Sequence, residues 1–179
     1  IAAIVPGTYE NSCAYAHGSL FGTMALFEMG ESKRAWEEIM KTAVITHDNC
    51  TMSTFVMPNS YCENAEYGMD GESMGDWHTG SGAVLVKETV RYGFGIYPDL
   101  DGVRIQTAEY FPAKSGEITA NVKDSEITLI YENKNNGKRT AEIIGADGYS
   151  ESFDDMMNIP VYYLPKEKMS KKITVKICD

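Results

Sequence analysis

The chain has 179 residues, which is enough for one ordinary domain or for two incomplete ones. Its hydrophobic content of 43% and charged content of 23% are typical of a globular protein with a real core. The net charge of -10 argues against a nucleic-acid partner and against an anionic membrane surface, because both favour basic patches.

The sequence has no apolar run of about 18 residues, so we expect no transmembrane helix. It also starts without the charged residues and long apolar centre of a signal peptide, and we expect a cytoplasmic location. Ile1 is not a natural start residue. We therefore expect a fragment or a processed product of a longer protein.

The first half of the chain predicts a helical hairpin. Residues 11–30 have helical apolar spacing, and Gly30 stands where a C-terminal cap belongs. Ser32 is a candidate cap for a second helix. The apolar residues of that second helix are Ala35, Trp36, Ile39, Met40 and Ala43. Because the connection is short, the two helices should lie antiparallel.

Residues 46–75 show no sustained period and are rich in Asn, Ser, Gly, Pro, Met and Tyr. So long a loop in a compact domain is usually functional or disordered. A third helix is predicted over residues 79–92, ended by Gly93 and Gly95.

After Pro98 the sequence predicts strands. Alternation indicates strands over residues 117–123 and 126–131, joined by a short link at Asp124 and Ser125, and residues 135–137 predict a turn. The other predicted strands cover residues 103–105, 140–144, 161–164 and 172–177. Helices followed by strands predict an α+β fold in two segregated parts, residues 1–97 and 98–179.

The turn over residues 76–82 is a candidate anion site. Asp76 or Thr79 can cap the helix that follows, while Gly80 and Gly82 leave backbone amides uncovered. Free amides at a helix start favour an anion such as phosphate. An ordinary capped helix is the alternative.

Several other residues are candidates for ligand binding, and each has a purely structural role as its alternative. His17 can hold an anion, or can be a packed histidine satisfied by the backbone. Glu63 and Asn64 can hydrogen-bond a sugar or can be loop polar residues. Trp77 can stack on a sugar ring or can pin the turn into the core. Ser81 is not in a G-x-S-x-G elbow, so a serine hydrolase is not expected.

The cysteines form no CxxC pair, so we expect free thiols. They are Cys13, Cys50, Cys62 and Cys178. A zinc site built from His47, Cys50, Cys62 and His78 matches no standard spacing. A calcium loop at Asp70, Glu72 and Asp76 lacks regular spacing as well. We therefore expect no metal.

The sequence W-H-T-G-S-G-A at residues 77–83 and G-I-Y-P-D-L-D-G-V-R-I at residues 95–105 resembles the C-terminal part of the inverting glycoside phosphorylases typified by cellobiose and chitobiose phosphorylases. Y-A-H-G at residues 15–18, G-E-S-K-R-A-W at residues 30–36 and Y-C-E-N at residues 61–64 are similar to further motifs of that family. The resemblance covers roughly residues 7–112.

The resemblance implies the last helices of an (α/α)6 barrel followed by an antiparallel β-sandwich or jelly-roll-like domain. It implies a hexosyl transfer from a β-linked disaccharide or oligosaccharide to inorganic phosphate, with no cofactor. His17, Thr79 and Gly80 match the residues of the family that bind phosphate. The general-acid aspartate and a phosphate-binding arginine of the family belong upstream of Ile1, so we expect the isolated chain to be inactive.

The chain departs from the family pattern at three positions. Glu63 replaces a phosphate-contacting glutamine, His78 replaces an apolar residue, and Val84 replaces an aromatic one. Glu63, Asn64, Trp77, His78 and Ser81 are candidate phosphate or sugar contacts. A related glycoside hydrolase and a non-catalytic carbohydrate-binding or docking module are the alternatives. The expected protein partner is a second copy or the rest of the parent chain.

Overall fold

The computed structural model describes residues 4–43, 57–75, 80–134 and 139–179. The chain divides into two compact units. The first unit comprises the described residues up to Leu26 and those from Arg34 to Glu88, and the second comprises Phe27–Lys33 and Thr89–Asp179. The predicted boundary between residues 97 and 98 stays a prediction.

Three α-helices are present in the described residues: α1 (Ala16–Glu28), α2 (Ser32–Thr42) and α3 (Ser81–Glu88), the last continued by a π-helical turn over Thr89–Gly93. The strands are β1 (Ala14–Tyr15), β2 (Ser60–Tyr61), β3 (Ser73–Met74), β4 (Ile96–Pro98), β5 (Gly102–Ile105), β6 (Ser115–Val122), β7 (Ser125–Glu132), β8 (Thr140–Ala146), β9 (Ser150–Asp154), β10 (Ile159–Pro165) and β11 (Met169–Cys178). None of the helices in the described residues combines the length and apolar character that crossing a membrane requires.

The first unit contains a small antiparallel sheet of order β1-β2-β3. Two of its strands lie in the segment that the sequence predicts as a loop. This sheet also changes the start of the first helix, predicted at residue 11. Ala14 and Tyr15 pair with β2, and the Ala16 N–H donates to the Asn59 carbonyl over 2.9 Å, so α1 begins at Ala16.

The link between α1 and α2 follows the prediction at Gly30 and differs at Ser32. Gly30 has φ +81°, and its N–H donates to the Phe27 carbonyl over 3.0 Å, as expected for a left-handed cap. Ser32 is the first residue of α2, and its hydroxyl accepts from the Tyr110 N–H over 3.0 Å. Met40, predicted on the apolar face of α2, is 48% exposed.

The second unit holds two four-stranded sheets, of order β4-β5-β10-β9 and β6-β7-β11-β8. The pairing is antiparallel except between β7 and β11, which run parallel. The long connection from β7 to β11 permits this pairing, because parallel strands need a crossover of a dozen or more residues. This pair therefore departs from the antiparallel pairing that the family resemblance implies.

The core of the second sheet comes from alternate residues of its two central strands. Ile127, Leu129 and Tyr131 of β7 are buried, as are Ile173 and Val175 of β11, because successive side chains of a strand point to opposite faces. A mixed α+β chain with a β-rich C-terminal part is confirmed. The (α/α)6 barrel and the jelly-roll form stay predictions.

In the second unit, one turn and one strand differ from the sequence prediction, and one predicted turn is not described by the structure. The β6–β7 turn is at Lys123 and Asp124, one residue earlier than expected, and Lys123 adopts φ +56°. β9, with its polar sequence Ser-Glu-Ser-Phe-Asp, has no apolar alternation and was not predicted. The predicted turn at residues 135–137 lies outside the described residues.

Candidate functional site

The residue before α3 exposes its backbone to solvent. Gly80 is exposed and its carbonyl accepts from the Val84 N–H over 3.0 Å, which makes Gly80 the residue before the first helical turn. The first amides of a helix have no acceptor within it. Those of α3 belong to Ser81, Gly82 and Ala83, and the positive end of the helix dipole adds to their attraction for an anion.

The imidazole of His17 lies against Gly80. A Cβ placed on Gly80 would lie 3.0 Å from His17 Cε1 and 3.5 Å from His17 Nδ1. His17 is half-buried in the first turn of α1, between Tyr15, whose ring centroid is 6.1 Å away, and Phe21, at 5.0 Å. These rings limit the rotation of the imidazole. A ring nitrogen of His17 and the first amides of α3 can therefore contact the same small ligand.

A buried hydroxyl lies at the same helix end. Ser81 is fully buried, and its Oγ has no hydrogen-bond partner in the described part of the chain. Leaving a buried hydroxyl unpaired costs about 1–3 kcal/mol, so Ser81 is a destabilising feature of the fold at this helix end. The predicted role of Ser81 as a phosphate or sugar contact stays a prediction.

The structure brings together part of the predicted site. His17, Gly80 and Ser81 cluster at the start of α3. Thr79, Trp77 and His78 lie outside the described residues, and so does Asp76. Their roles stay predictions.

Glu63 and Asn64 hold the N-terminal segment through backbone contacts. The Glu63 N–H donates to the Gly7 carbonyl over 2.9 Å, while its side chain is exposed. Asn64 donates from Nδ2 to the Pro6 carbonyl and accepts at Oδ1 from the Tyr67 N–H over 3.1 Å. The amide of Asn64 thus already has partners in the fold, and its predicted role as a sugar contact stays untested.

No cluster of three or more His, Cys, Asp or Glu residues suited to a metal ion occurs within the described ranges. His47, Cys50, Asp76 and His78 of the candidate zinc and calcium sites lie outside those ranges. Cys13, Cys62 and Cys178 are free thiols. Burial, followed by the nearby Glu72 carboxylate, raises the pKa of the Cys62 thiol above its ordinary value.

Sequence reasoning missed one buried carboxyl in the first unit. Glu88 is fully buried at the end of α3, where Thr23 Oγ1 donates to Glu88 Oε1. Burial raises the pKa of Glu88 to about 7, and the Thr23 hydrogen bond opposes that shift. The seven-residue spacing from Ser81 to Glu88 puts both residues on one face of a helix, but two polar side chains give no sequence signal that this face is buried.

Comparison with known proteins adds one distant similarity. No family model matches the chain. It is 28% identical over 127 residues to the 3-O-beta-D-glucopyranosyl-beta-D-glucuronide phosphorylase of Paenibacillus borealis. This match supports the broad class of glycoside phosphorylases. The matched region covers 69% of this chain but 16% of that relative, so it establishes no specific family within the class.

Proposed function

We propose that this chain is the C-terminal part of an enzyme that phosphorolyses a β-linked glucoside or N-acetylglucosaminide with inversion. The observation that carries the proposal is the approach of His17 to Gly80 at the start of α3. The similarity to a named phosphorylase supports the same reaction class. The chain would contribute half of a phosphate pocket, with His17, Thr79 and Gly80 as the phosphate-binding residues.

In the proposed reaction, a phosphate oxygen attacks the anomeric carbon from the face opposite the leaving group. A carboxylic acid supplied by the rest of the enzyme protonates the leaving oxygen, so phosphate takes the place that water has in an inverting hydrolase. His17 would orient the phosphate through a ring nitrogen, and the amides of α3 would stabilise its charge. Inorganic phosphate is the co-substrate, and no cofactor is needed.

The donors at the start of α3 are suited to a small oxyanion of modest affinity. Hydrogen bonds to a charged group contribute about 1.5–3 kcal/mol each, and two or three of them at the lower end of that range would give a dissociation constant of about 1 mM. The net charge of -10 opposes anion binding at long range, so the local amides and imidazole must supply the attraction.

Phosphate titration of the chain, followed by ³¹P NMR line broadening, tests the proposed site. His17→Ala should weaken phosphate binding by about tenfold, or about 1.4 kcal/mol. Tyr67→Ala, which removes an exposed aromatic side chain outside this cluster, is the matched control and should bind as the wild type does. Equal phosphate affinity in the wild type and His17→Ala would contradict the site.

Glu63 favours one alternative reaction. It stands where the resembling family has a glutamine, and a carboxylate repels phosphate. A related hydrolase would release the free sugar from a β-glucoside, without phosphate dependence. Measuring sugar phosphate against free sugar with the enzyme that contains this chain separates the two reactions, and the isolated chain should release neither product.

A further inference from the structure

The second unit contains a cleft with charged and apolar lining residues that the proposed phosphate site does not use. Its volume is about 500 Å³, which is within the range of small-molecule sites. Its walls are formed by Glu109, Arg139, Glu151, Phe153, Asn158, Pro160 and Asp179. The set combines carboxylates, an amide, one guanidinium and two apolar rings.

The floor of the cleft is a fixed ion pair. Arg139 donates from Nε and Nη2 to the two carboxylate oxygens of Asp179, over 2.5 and 2.7 Å. It also donates to the backbone carbonyls of Thr107, Ala108 and Glu109, over 2.7, 3.0 and 2.9 Å. Although burial acts to raise it, the pKa of Asp179 is lowered by its hydrogen bonds from Arg139 and Tyr131. The guanidinium of Arg139 therefore already has hydrogen-bond acceptors within the protein.

One wall of the cleft is an apolar platform. Glu151 and Phe153 lie two residues apart on β9 and therefore project from the same face of the sheet. Pro160 of β10 is directly opposite Phe153 in the strand register. Phe153 is 56% exposed, which leaves its ring available to a ligand.

The rim of the cleft supplies hydrogen-bonding groups. Asn158, held at φ +54° in the turn before β10, donates from Nδ2 to Glu109 Oε1 over 3.0 Å. Glu109 and Glu151 are both exposed. Their carboxylates can accept hydrogen bonds from hydroxyl groups above the platform.

We propose that this cleft binds a neutral sugar ring of an oligosaccharide. Phe153 stacks on the apolar face of the ring, while Glu109 and Glu151 accept hydrogen bonds from its hydroxyls. An acidic sugar is disfavoured, because the carboxylates repel it and Arg139 is already bonded to Asp179 and to three carbonyls. The choice of a saccharide rests on the proposed function, whereas the preference for a neutral one rests on the cleft.

Calorimetric titration of the full chain with cellotetraose, without phosphate, tests this site. Binding is expected, and Phe153→Ala should weaken it by about tenfold through loss of the stacking surface. Glu151→Gln keeps the shape but replaces one of the two acceptor oxygens with an amide donor and removes the charge, and it should also weaken binding. Tyr67→Ala removes an aromatic side chain that is 66% exposed and should leave cellotetraose binding unchanged.

A tetrasaccharide of the same length that carries a glucuronate should bind more weakly than cellotetraose. The inference is overturned if cellotetraose does not bind, if Phe153→Ala and Tyr67→Ala behave alike, or if the glucuronate ligand binds more tightly. His17→Ala separates this site from the phosphate site, since it should weaken phosphate binding by about tenfold and keep cellotetraose binding unchanged. Phosphate binding without saccharide binding would leave the proposed function standing and remove the cleft as a sugar site.

Discussion

The absence of a side chain at Gly80 is what lets His17 approach the start of α3. A methyl group there would meet the imidazole at 3.0 Å, which is closer than side chains ordinarily pack. Because Gly80 is exposed, such a clash should displace the ring without disturbing the core. The geometry of the proposed phosphate site thus depends on having glycine, without a Cβ methyl group, at position 80.

Gly80→Ala should therefore weaken phosphate binding by about tenfold, with little change in the free energy of unfolding. Gly22→Ala is the matched control, since an added Cβ at Gly22 has no atom within 4 Å. That control should bind phosphate normally and be stabilised by about 0.5–1 kcal/mol through higher helix propensity. Phosphate titration and denaturant unfolding of both variants check this, and unchanged phosphate affinity in Gly80→Ala would contradict it.

Glu88 makes the stability of the chain depend on pH. Its pKa is raised from 4.5 to about 7 by burial, so the folded state holds a proton that the unfolded state releases between those values. This stabilisation is fully present below about pH 4.5 and is lost as the pH rises through about 7. The total loss is on the order of 3 kcal/mol.

Glu88→Gln should remove this pH dependence, because the amide does not ionise. The difference in unfolding free energy between wild type and variant, measured by denaturant unfolding at pH 5, 6, 7 and 8, should change in the variant's favour with rising pH. Glu31→Gln alters an exposed carboxylate and should follow the wild type. Parallel curves for wild type and Glu88→Gln would show that the carboxyl is not buried in the folded chain.

At the scale of elements, the pairing of β8 with β11 requires a local change in register. The register shifts between Met169 and Thr174, and Gly145 of β8 adopts φ +89° beside this irregularity. A Cβ on Gly145 would lie 2.3 Å from the Lys172 carbonyl oxygen. Both the backbone conformation and the close approach of β11 therefore require glycine at this position.

Gly145→Ala should destabilise the chain by about 2–4 kcal/mol, from left-handed strain together with overpacking. Gly148 has φ +68° but open space around an added Cβ, so Gly148→Ala should cost only about 1–2 kcal/mol. Denaturant unfolding at constant pH measures both variants. Equal losses would mean that β11 does not approach Gly145 closely.

At the scale of the whole molecule, the dominant property is acidity. The net charge of -10 corresponds to an isoelectric point of about 4.8. Mutual repulsion between copies keeps an acidic protein dispersed near neutral pH and disappears near its isoelectric point. This property follows from composition and is independent of fold.

Solubility should therefore be lowest near pH 4.8, as measured by turbidity between pH 4 and pH 8. Replacing two exposed carboxylates, in the double variant Glu37→Lys and Glu117→Lys, should move the minimum to higher pH. The matched Glu37→Gln and Glu117→Gln variant should move it by a smaller amount. If the pH of minimum solubility did not change with these substitutions, association through apolar surface would be indicated instead.

The sequence by itself determined several of the elements and the faces that they bury. Alternation in β7 predicts its buried residues because side chains of a strand project alternately, and Gly30 ends α1 because glycine accepts a left-handed backbone at little cost. The net charge and the composition are likewise independent of the fold. The resemblance adds the reaction class, which the distant relative supports.

Only the tertiary structure decided which distant residues meet. Apolar alternation says nothing about strand partners, so the parallel pairing of β7 with β11 could not be predicted from it. The contact of Arg139 with Asp179 joins residues far apart in the sequence. The approach of His17 to Gly80 does so too, and before the structure only the family resemblance implied it. Such contacts depend on how whole elements pack. A side chain contacts only near neighbours, and the path of the backbone decides which residues become its neighbours.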